Sequence, residues 1–243
     1  VLLFNGSLVV NHDGSAEMQW SQEPRDMTPD LVPEHWDNVW MGTQQGITVD
    51  LPDGQGQRLI MCANHHSKSD PGDQGAHTVY SDDHGETWNN GATLSDPAGI
   101  GECGLAQTNA GDGVFLYGRI VYDDPNITKS RRVLAKSTDY GHTFGIGNTS
   151  AFPGNPGADV EGAFLGFENT LLVGSAWGQV GPSNPGRHTY TVLARQVDKG
   201  GEIMAWRHVP GADPLSPGVE AEYSTMVVPT ENAGASFWVA YER

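Results

Sequence analysis

Ser81-Asp82-Asp83-His84-Gly85-Glu86-Thr87-Trp88 fits the pattern Ser-x-Asp-x-Gly-x-Thr-Trp at every specified position. A close second copy stands at Ser137-Thr138-Asp139-Tyr140-Gly141-His142-Thr143-Phe144. Each follows a strand-like run, Ala76–Tyr80 and Arg132–Lys136. A signature that recurs at one place in a repeated unit sets the architecture. The residue types read as a hairpin turn. The Asp carboxylate can fold back onto backbone N–H groups, and the Gly accepts the positive φ of a tight turn. The hydroxyls add local bonds, and the closing Trp or Phe anchors the turn in an apolar layer. The motif holds no reacting group, so it is structural.

Two worn copies extend the series. Asn11-His12-Asp13-Gly14-Ser15 leads to Trp20, and Asp198-Lys199-Gly200-Gly201 leads to Trp206. The anchoring aromatics Trp20, Trp88, Phe144 and Trp206 are then 68, 56 and 62 residues apart. A four-stranded propeller blade takes about 40–50 residues in familiar cases, so these units are large blades. Gly46–Leu51, Arg58–Ala63, Val114–Arg119, Leu171–Gly174, His188–Arg195, Tyr223–Val228 and Phe237–Tyr241 read as strands. No segment sustains a helical period. The expectation is an all-β chain of about four to five blades.

The 243 residues include 32 Gly and 15 Pro, which suits many short strands joined by turns. No run approaches the ~20 apolar residues of a membrane-spanning helix. The net charge of −17 argues against nucleic acid or an anionic membrane as partner. An anionic substrate would have to rely on a few local arginines. Cys62 and Cys103 read as buried small residues, with a single bridge as the alternative. Sequons at Asn5, Asn126 and Asn148 lean towards a secreted or lysosomal, endomembrane location. The Asn64–Asp73 segment reads as a polar loop; its His65, His66, Asp70 and Asp73 are not taken as a metal site. No nucleotide fingerprint is present, and no cofactor is expected. Trp36 and Trp40 read as core anchors or as sugar-pocket aromatics.

The repeated octapeptide resembles the aspartate box of six-bladed sialidase propellers. Five further segments are similar to that family and stand in its order. Gly101-Glu102-Cys103 resembles a Glu-Cys-Gln segment, and Gly118-Arg119-Ile120 the Asn-x-Arg strand after it. Gly186-Arg187-His188-Thr189-Tyr190-Thr191-Val192 is similar to Arg-x-Asn-Leu-Thr-Val. Glu222-Tyr223-Ser224 resembles Ala-Tyr-Ser, and Val239-Ala240-Tyr241-Glu242 the Leu-Tyr-Glu that follows. The likeness covers nearly the whole chain, 1–243, as one propeller domain.

The resemblance implies an exo-α-sialidase acting on sialylated glycoconjugates without a cofactor or metal. Sialic acid carries a carboxylate on its anomeric carbon. Guanidinium groups can hold it by charge-assisted, partly bidentate bonds. By resemblance Arg119 and Arg187 are two of these groups. A carboxylate nucleophile would be repelled by that same substrate group, and sialidases use a Tyr instead. The phenol needs a neighbouring base. The resemblance implies Tyr223 as nucleophile and Glu102 as base. Arg131, Arg132 and Arg195 read as surface strand charges. Glu222 departs from the small residue the family places before its Tyr. The family's third clamp arginine, in an Arg-Ile-Pro segment, and its general-acid Asp have no match here. Four turns are also too few for six blades, so the expectation is a fragment lacking the N-terminal blade. The alternative reading is an inactive propeller that serves as a glycan-binding module.

Overall fold

The structure is a computed structural model, which describes residues 1–42, 44–70, 74–94, 100–108, 113–120, 131–146, 162–177, 189–197, 207–208, 224–227 and 238–241. The chain begins with β1 (Leu2–Leu3), β2 (Gly6–Val10), β3 (Ala16–Trp20) and β4 (Arg25–Asp26). β1 pairs with β4, and β2 with β3 forms a separate hairpin between them. A single helical turn, α1 (Thr28–Leu31), leads into the first full sheet.

That sheet holds β5 (Trp36–Met41), β6 (Ile47–Asp50), β7 (Gln57–Ser67), β8 (Gln74–Ser81) and β9 (Asn89–Asn90). β5 and β6 pair with opposite halves of β7 and together make one broken first strand. The second sheet is β10 (Ile100–Gln107), β11 (Val114–Ile120), β12 (Arg131–Ser137) and β13 (Gly145–Ile146), in that order. The third is β14 (Ala163–Phe167), β15 (Thr170–Trp177), β16 (Thr189–Gln196) and β17 (Arg207–His208). β18 (Ser224–Val227) and β19 (Trp238–Tyr241) form a further antiparallel pair. Each four-stranded unit is an antiparallel meander, as in a propeller blade.

The strands alternate, but both faces are apolar. On β11, Val114 and Leu116 pack towards the preceding sheet, while Phe115 and Tyr117 pack towards the following one. Val133 and Leu134 of β12 divide the same way. A sheet stacked between two others must bury both faces, so its strands read as near-continuous apolar runs. Tyr117 and Phe164 meet at 5.5 Å between ring centroids and join the second blade to the third. Each fully buried side chain of this size contributes about 1.5–3 kcal/mol by removal from water.

β10 and β14 run side by side and parallel. Gln44, from the break between β5 and β6, lies over Gly104. It donates to the Gly162 carbonyl and accepts the Phe164 N–H at 2.8 Å. One amide thereby satisfies two backbone groups on the edge of a first strand. Further along, Gly166 lies against the Gln107 carbonyl, where any Cβ would collide.

The two repeated turns share one geometry. Ser81 Oγ accepts the Gly85 N–H at 2.8 Å and donates to Asp83 Oδ1 at 2.7 Å. Asp83 in turn accepts the Thr87 N–H at 2.8 Å and its hydroxyl at 2.6 Å. Hydrogen bonds from Thr87, then Ser81, hold the Asp83 carboxyl down to about 2. Ser137, Asp139, Gly141 and Thr143 repeat the set. In each turn the residue before the Gly also has positive φ, +59° at both His84 and Tyr140. Two successive positive φ values are the mark of a primed hairpin turn. Arg58 joins the turns across blades, gripping Asp82 at 2.6 and 2.7 Å and reaching the Tyr140 carbonyl.

Three expectations are corrected here. Trp20 does not anchor a turn: it is 61% exposed, and Asn11–Ser15 is the tip of the β2–β3 hairpin. That tip satisfies Asp13 locally through Ser15, so the short-range chemistry is alike while no apolar layer lies beneath. His65 and His66 are not in a loop, because β7 runs on to Ser67. Trp36 stacks on buried His65 at 3.7 Å and is a core residue, while Trp40 stands half-exposed beside His66. The fourth turn, 198–206, lies outside the described residues. The favoured reading of the cysteines as separate buried residues is likewise corrected in favour of its alternative: Cys62 of β7 is disulfide-bonded to Cys103 of β10. Closing a loop of 41 residues contributes about 4 kcal/mol by the chain-entropy estimate.

Candidate active site

The first strands β10 and β14 are parallel, and each of these two blades is a meander. The starts of β10, β12, β14 and β16 and the ends of β11 and β15 therefore share one end of the second and third blades. Glu102 lies near the start of β10 and Arg119 near the end of β11. The ladder joins Ile100 to Ile120 and Cys103 to Gly118, so Gly101 and Glu102 together oppose Arg119 alone. This is a β-bulge, which bends a strand and re-aims a side chain. It brings Glu102 Oε2 to 3.3 Å from Arg119 Nη1. Both side chains keep a solvent-facing part, 24% and 19%.

Arg132 pairs directly with Arg119 across β11 and β12. It was expected at the surface, but it is only 8% exposed. Its guanidinium lies 5.6 Å from the centre of the Tyr117 ring, within cation–π range. The sequence signal was available, because Arg132 shares strand parity with buried Leu134. Gln44 carries no such signal, since its bonds are to backbone more than 110 positions away. Two guanidinium groups and one carboxylate thus gather at this end of the second blade. Such a group can bind a carboxylate and hold a base beside it.

The repeated turns follow the far ends of β8 and β12. A seven-residue strand spans about 23 Å, so the turns stand well away from Glu102 and Arg119. Arg187 and Tyr223 lie outside the described residues. In sequence they adjoin β16 and β18, which begin at Thr189 and Ser224. Among the described residues no group of three or more His, Cys, Asp or Glu side chains could hold a metal ion. No helix among them is long and apolar enough to cross a membrane.

No protein-family model matches the chain, and no curated protein matches it in sequence. Solved structures do match it. The chain superposes on Trypanosoma rangeli sialidase in complex with the inhibitor DANA with a TM-score of 0.65 at 15% identity, over 99% of this chain and 36% of that one. The Hadza microbial sialidase Hz136 gives 0.60 at 19% identity, over 91% and 41%. NanB sialidase from Streptococcus pneumoniae gives 0.59 at 14% identity, over 93% and 37%.

The fold is that of the sialidases.

It is a β-propeller fold, and the chain spans about two fifths of the length of these structures or less. Identities below 20% carry the fold and not the chemistry. Within this sialidase fold, Glu102 and Arg119 are the two expected site residues the structure describes, and it brings them together.

Proposed function

We propose that the protein is an exo-α-sialidase that retains anomeric configuration through a tyrosyl intermediate. The observation that carries this reading is the Glu102–Arg119 pair, at the end of the blades where β16 begins. Arg119 and Arg187 hold the sialic acid carboxylate. Glu102 takes the phenolic proton of Tyr223, whose oxygen attacks the anomeric carbon as the bond to the aglycone breaks. Water then attacks the same carbon from the vacated side and loses a proton to solvent, offsetting the one the departed aglycone oxygen takes from solvent, and the phenol regains its proton from Glu102. Sialylated glycoconjugates are the substrate class, because only a sugar with a carboxylate on its anomeric carbon gives both arginines a role.

The test is release of the fluorophore from an aryl sialoside by the intact protein. An aryl leaving group departs without a proton, so the assay does not depend on a general acid. Tyr223→Phe is expected to abolish turnover, and full activity in that variant overturns the nucleophile assignment. Sialoside binding without turnover would assign the protein instead as a glycan-binding propeller.

A further inference from the structure

We infer that Asn5 carries an N-linked glycan, which shields the apolar face of the adjoining β2–β3 hairpin. Asn5-Gly6-Ser7 is an acceptor triplet, with Gly in the middle position from which only Pro is excluded. Asn5 lies in the link between β1 and β2 and is exposed. Its backbone is held in place. The N–H donates to Ser21 Oγ at 3.2 Å, and the carbonyl accepts the Ser21 N–H at 2.7 Å. Its carboxamide has no partner among the described residues. Ser7, whose hydroxyl completes the triplet, is exposed as well. The triplets at Asn126 and Asn148 lie outside the described residues, so the inference concerns Asn5 alone.

Two independent observations give the triplet weight. The first is the Cys62–Cys103 disulfide. Such bridges form and persist in oxidising compartments and are rare in the cytosol. A chain that acquires one in a secretory compartment folds where N-glycans are attached. The second is the surface around Asn5. Among the described residues, Leu2, Phe4, Leu8, Val10, Met18 and Trp20 are six of the seven large apolar side chains left exposed. The hairpin ladder pairs Gly6 with Trp20, Leu8 with Met18 and Val10 with Ala16, so one face of it carries no polar residue. The Trp20 ring lies over Gly6, where a Cβ would stand 2.7 Å from two ring carbons. The apolar face therefore begins at the middle residue of the triplet.

A two-stranded hairpin with a bare apolar face and open edges invites association. An oligosaccharide is bulky and solubilising. Attached at Asn5, it occupies the space through which a second hairpin would approach. The transfer consumes a lipid-linked oligosaccharide pyrophosphate. The Asn5 side-chain nitrogen forms a bond to C1 of the first sugar as the bond from C1 to the pyrophosphate oxygen breaks. The lipid pyrophosphate leaves with that electron pair, and the amide gives up one proton to a base of the transferase.

The experiment starts from the intact protein isolated from the cells that make it. It is digested, and its peptides are treated with peptide N-glycosidase in heavy-oxygen water. The peptide carrying Asn5 is expected to appear only after treatment, with aspartate at that position bearing heavy oxygen. The same peptide in full amount and unmodified before treatment overturns the inference. So does aspartate without heavy oxygen, the product of spontaneous Asn-Gly deamidation. Asn5→Gln and Ser7→Ala, made in the same cells, should both lose the glycan and shift to faster-sedimenting species in sedimentation velocity. Adding Leu8→Thr/Met18→Thr to either should reverse that shift. Sedimentation identical to the parent's, with the glycan gone, overturns the shielding role. If a variant fails to fold, the folded parent before and after the glycosidase gives the same comparison.

Discussion

Arg119 Nη1 lies 3.3 Å from Glu102 Oε2 across a β-bulge, at the end of the blades opposite the repeated turns. Truncating one member of a buried charge pair costs about 2–5 kcal/mol. The partial exposure of both groups puts this pair at the lower end. Arg119→Ala should therefore lower kcat/KM on an aryl sialoside by about 30-fold, at 1.4 kcal/mol per factor of ten. Arg119→Lys should recover little of the loss, since an ammonium lacks the planar fork. Steady-state kinetics of the two variants checks both statements.

The repeated turns should matter for stability and not for chemistry. Ser137→Ala removes a buried oxygen that accepts the Gly141 N–H and donates to Asp139. A buried donor left unmade costs about 1–3 kcal/mol. Chemical denaturation should show that loss while kcat/KM stays within twofold.

Gln44 and Gly104 should be energetically coupled. A Cβ at 104 would sit 2.8 Å from Gln44 Cδ, so the amide must leave Gly162 and Phe164. Gly104→Ala is expected to cost about 1–3 kcal/mol. In a Gln44→Ala background it should cost much less, and the double-mutant cycle measures the difference. Gly166→Ala, which would collide with the Gln107 backbone, should be worse than either and should not be relieved by Gln44→Ala.

His77 should make the fold sensitive to mild acid. His65 Nδ1 and His77 Nδ1 are 3.1 Å apart and both rings are fully buried, so one must donate and the other accept. Burial, then the neighbouring His65, pushes His77 down from 6.5 to about 3, with Asn90 and the Gly75 backbone opposing. The folded form therefore keeps this ring neutral, while the unfolded chain binds a proton below about pH 6.5. The stability tied to the neutral ring is fully present above that pH and is lost as pH falls towards 3. At 1.36 kcal/mol per pH unit, about 2 kcal/mol should be gone by pH 5. The carboxyls held low, Asp83 and Asp139, lose their contribution only as pH falls below 3.8, outside the interval from pH 7.5 to pH 5.0. Urea unfolding at pH 7.5 and pH 5.0 checks this; equal stabilities would contradict it.

The parts of the fold that were legible are those set by local chemistry. Ser81, Asp83 and Thr87 satisfy one another within eight residues, so their turn could be read directly from the pattern. The same locality misled at Asp13 and Trp20, because whether an aromatic finds an apolar layer is decided by distant chain. Glu102 and Arg119 were readable through the order of short segments, but the bulge that joins them follows from pairing. The burial of His65 was hidden, since a polar residue on a sheet stacked on both faces looks like a surface residue in sequence, whereas that of Arg132 could be read from its strand parity with Leu134. Cys62 and Cys103, 41 residues apart, gave no sign of which reading held until their strands were placed.

The central claim is that Tyr223 attacks the anomeric carbon. The most direct measurement traps that bond. The intact protein is incubated with 2,3-difluorosialic acid, whose ring fluorine slows hydrolysis of the intermediate, and is then digested and mapped by mass spectrometry. The account predicts one fluorosialosyl adduct, on the peptide carrying Tyr223, absent from Tyr223→Phe and slower to form in Glu102→Gln. An adduct on another residue, or turnover of an aryl sialoside by Tyr223→Phe at the parent rate, would contradict it.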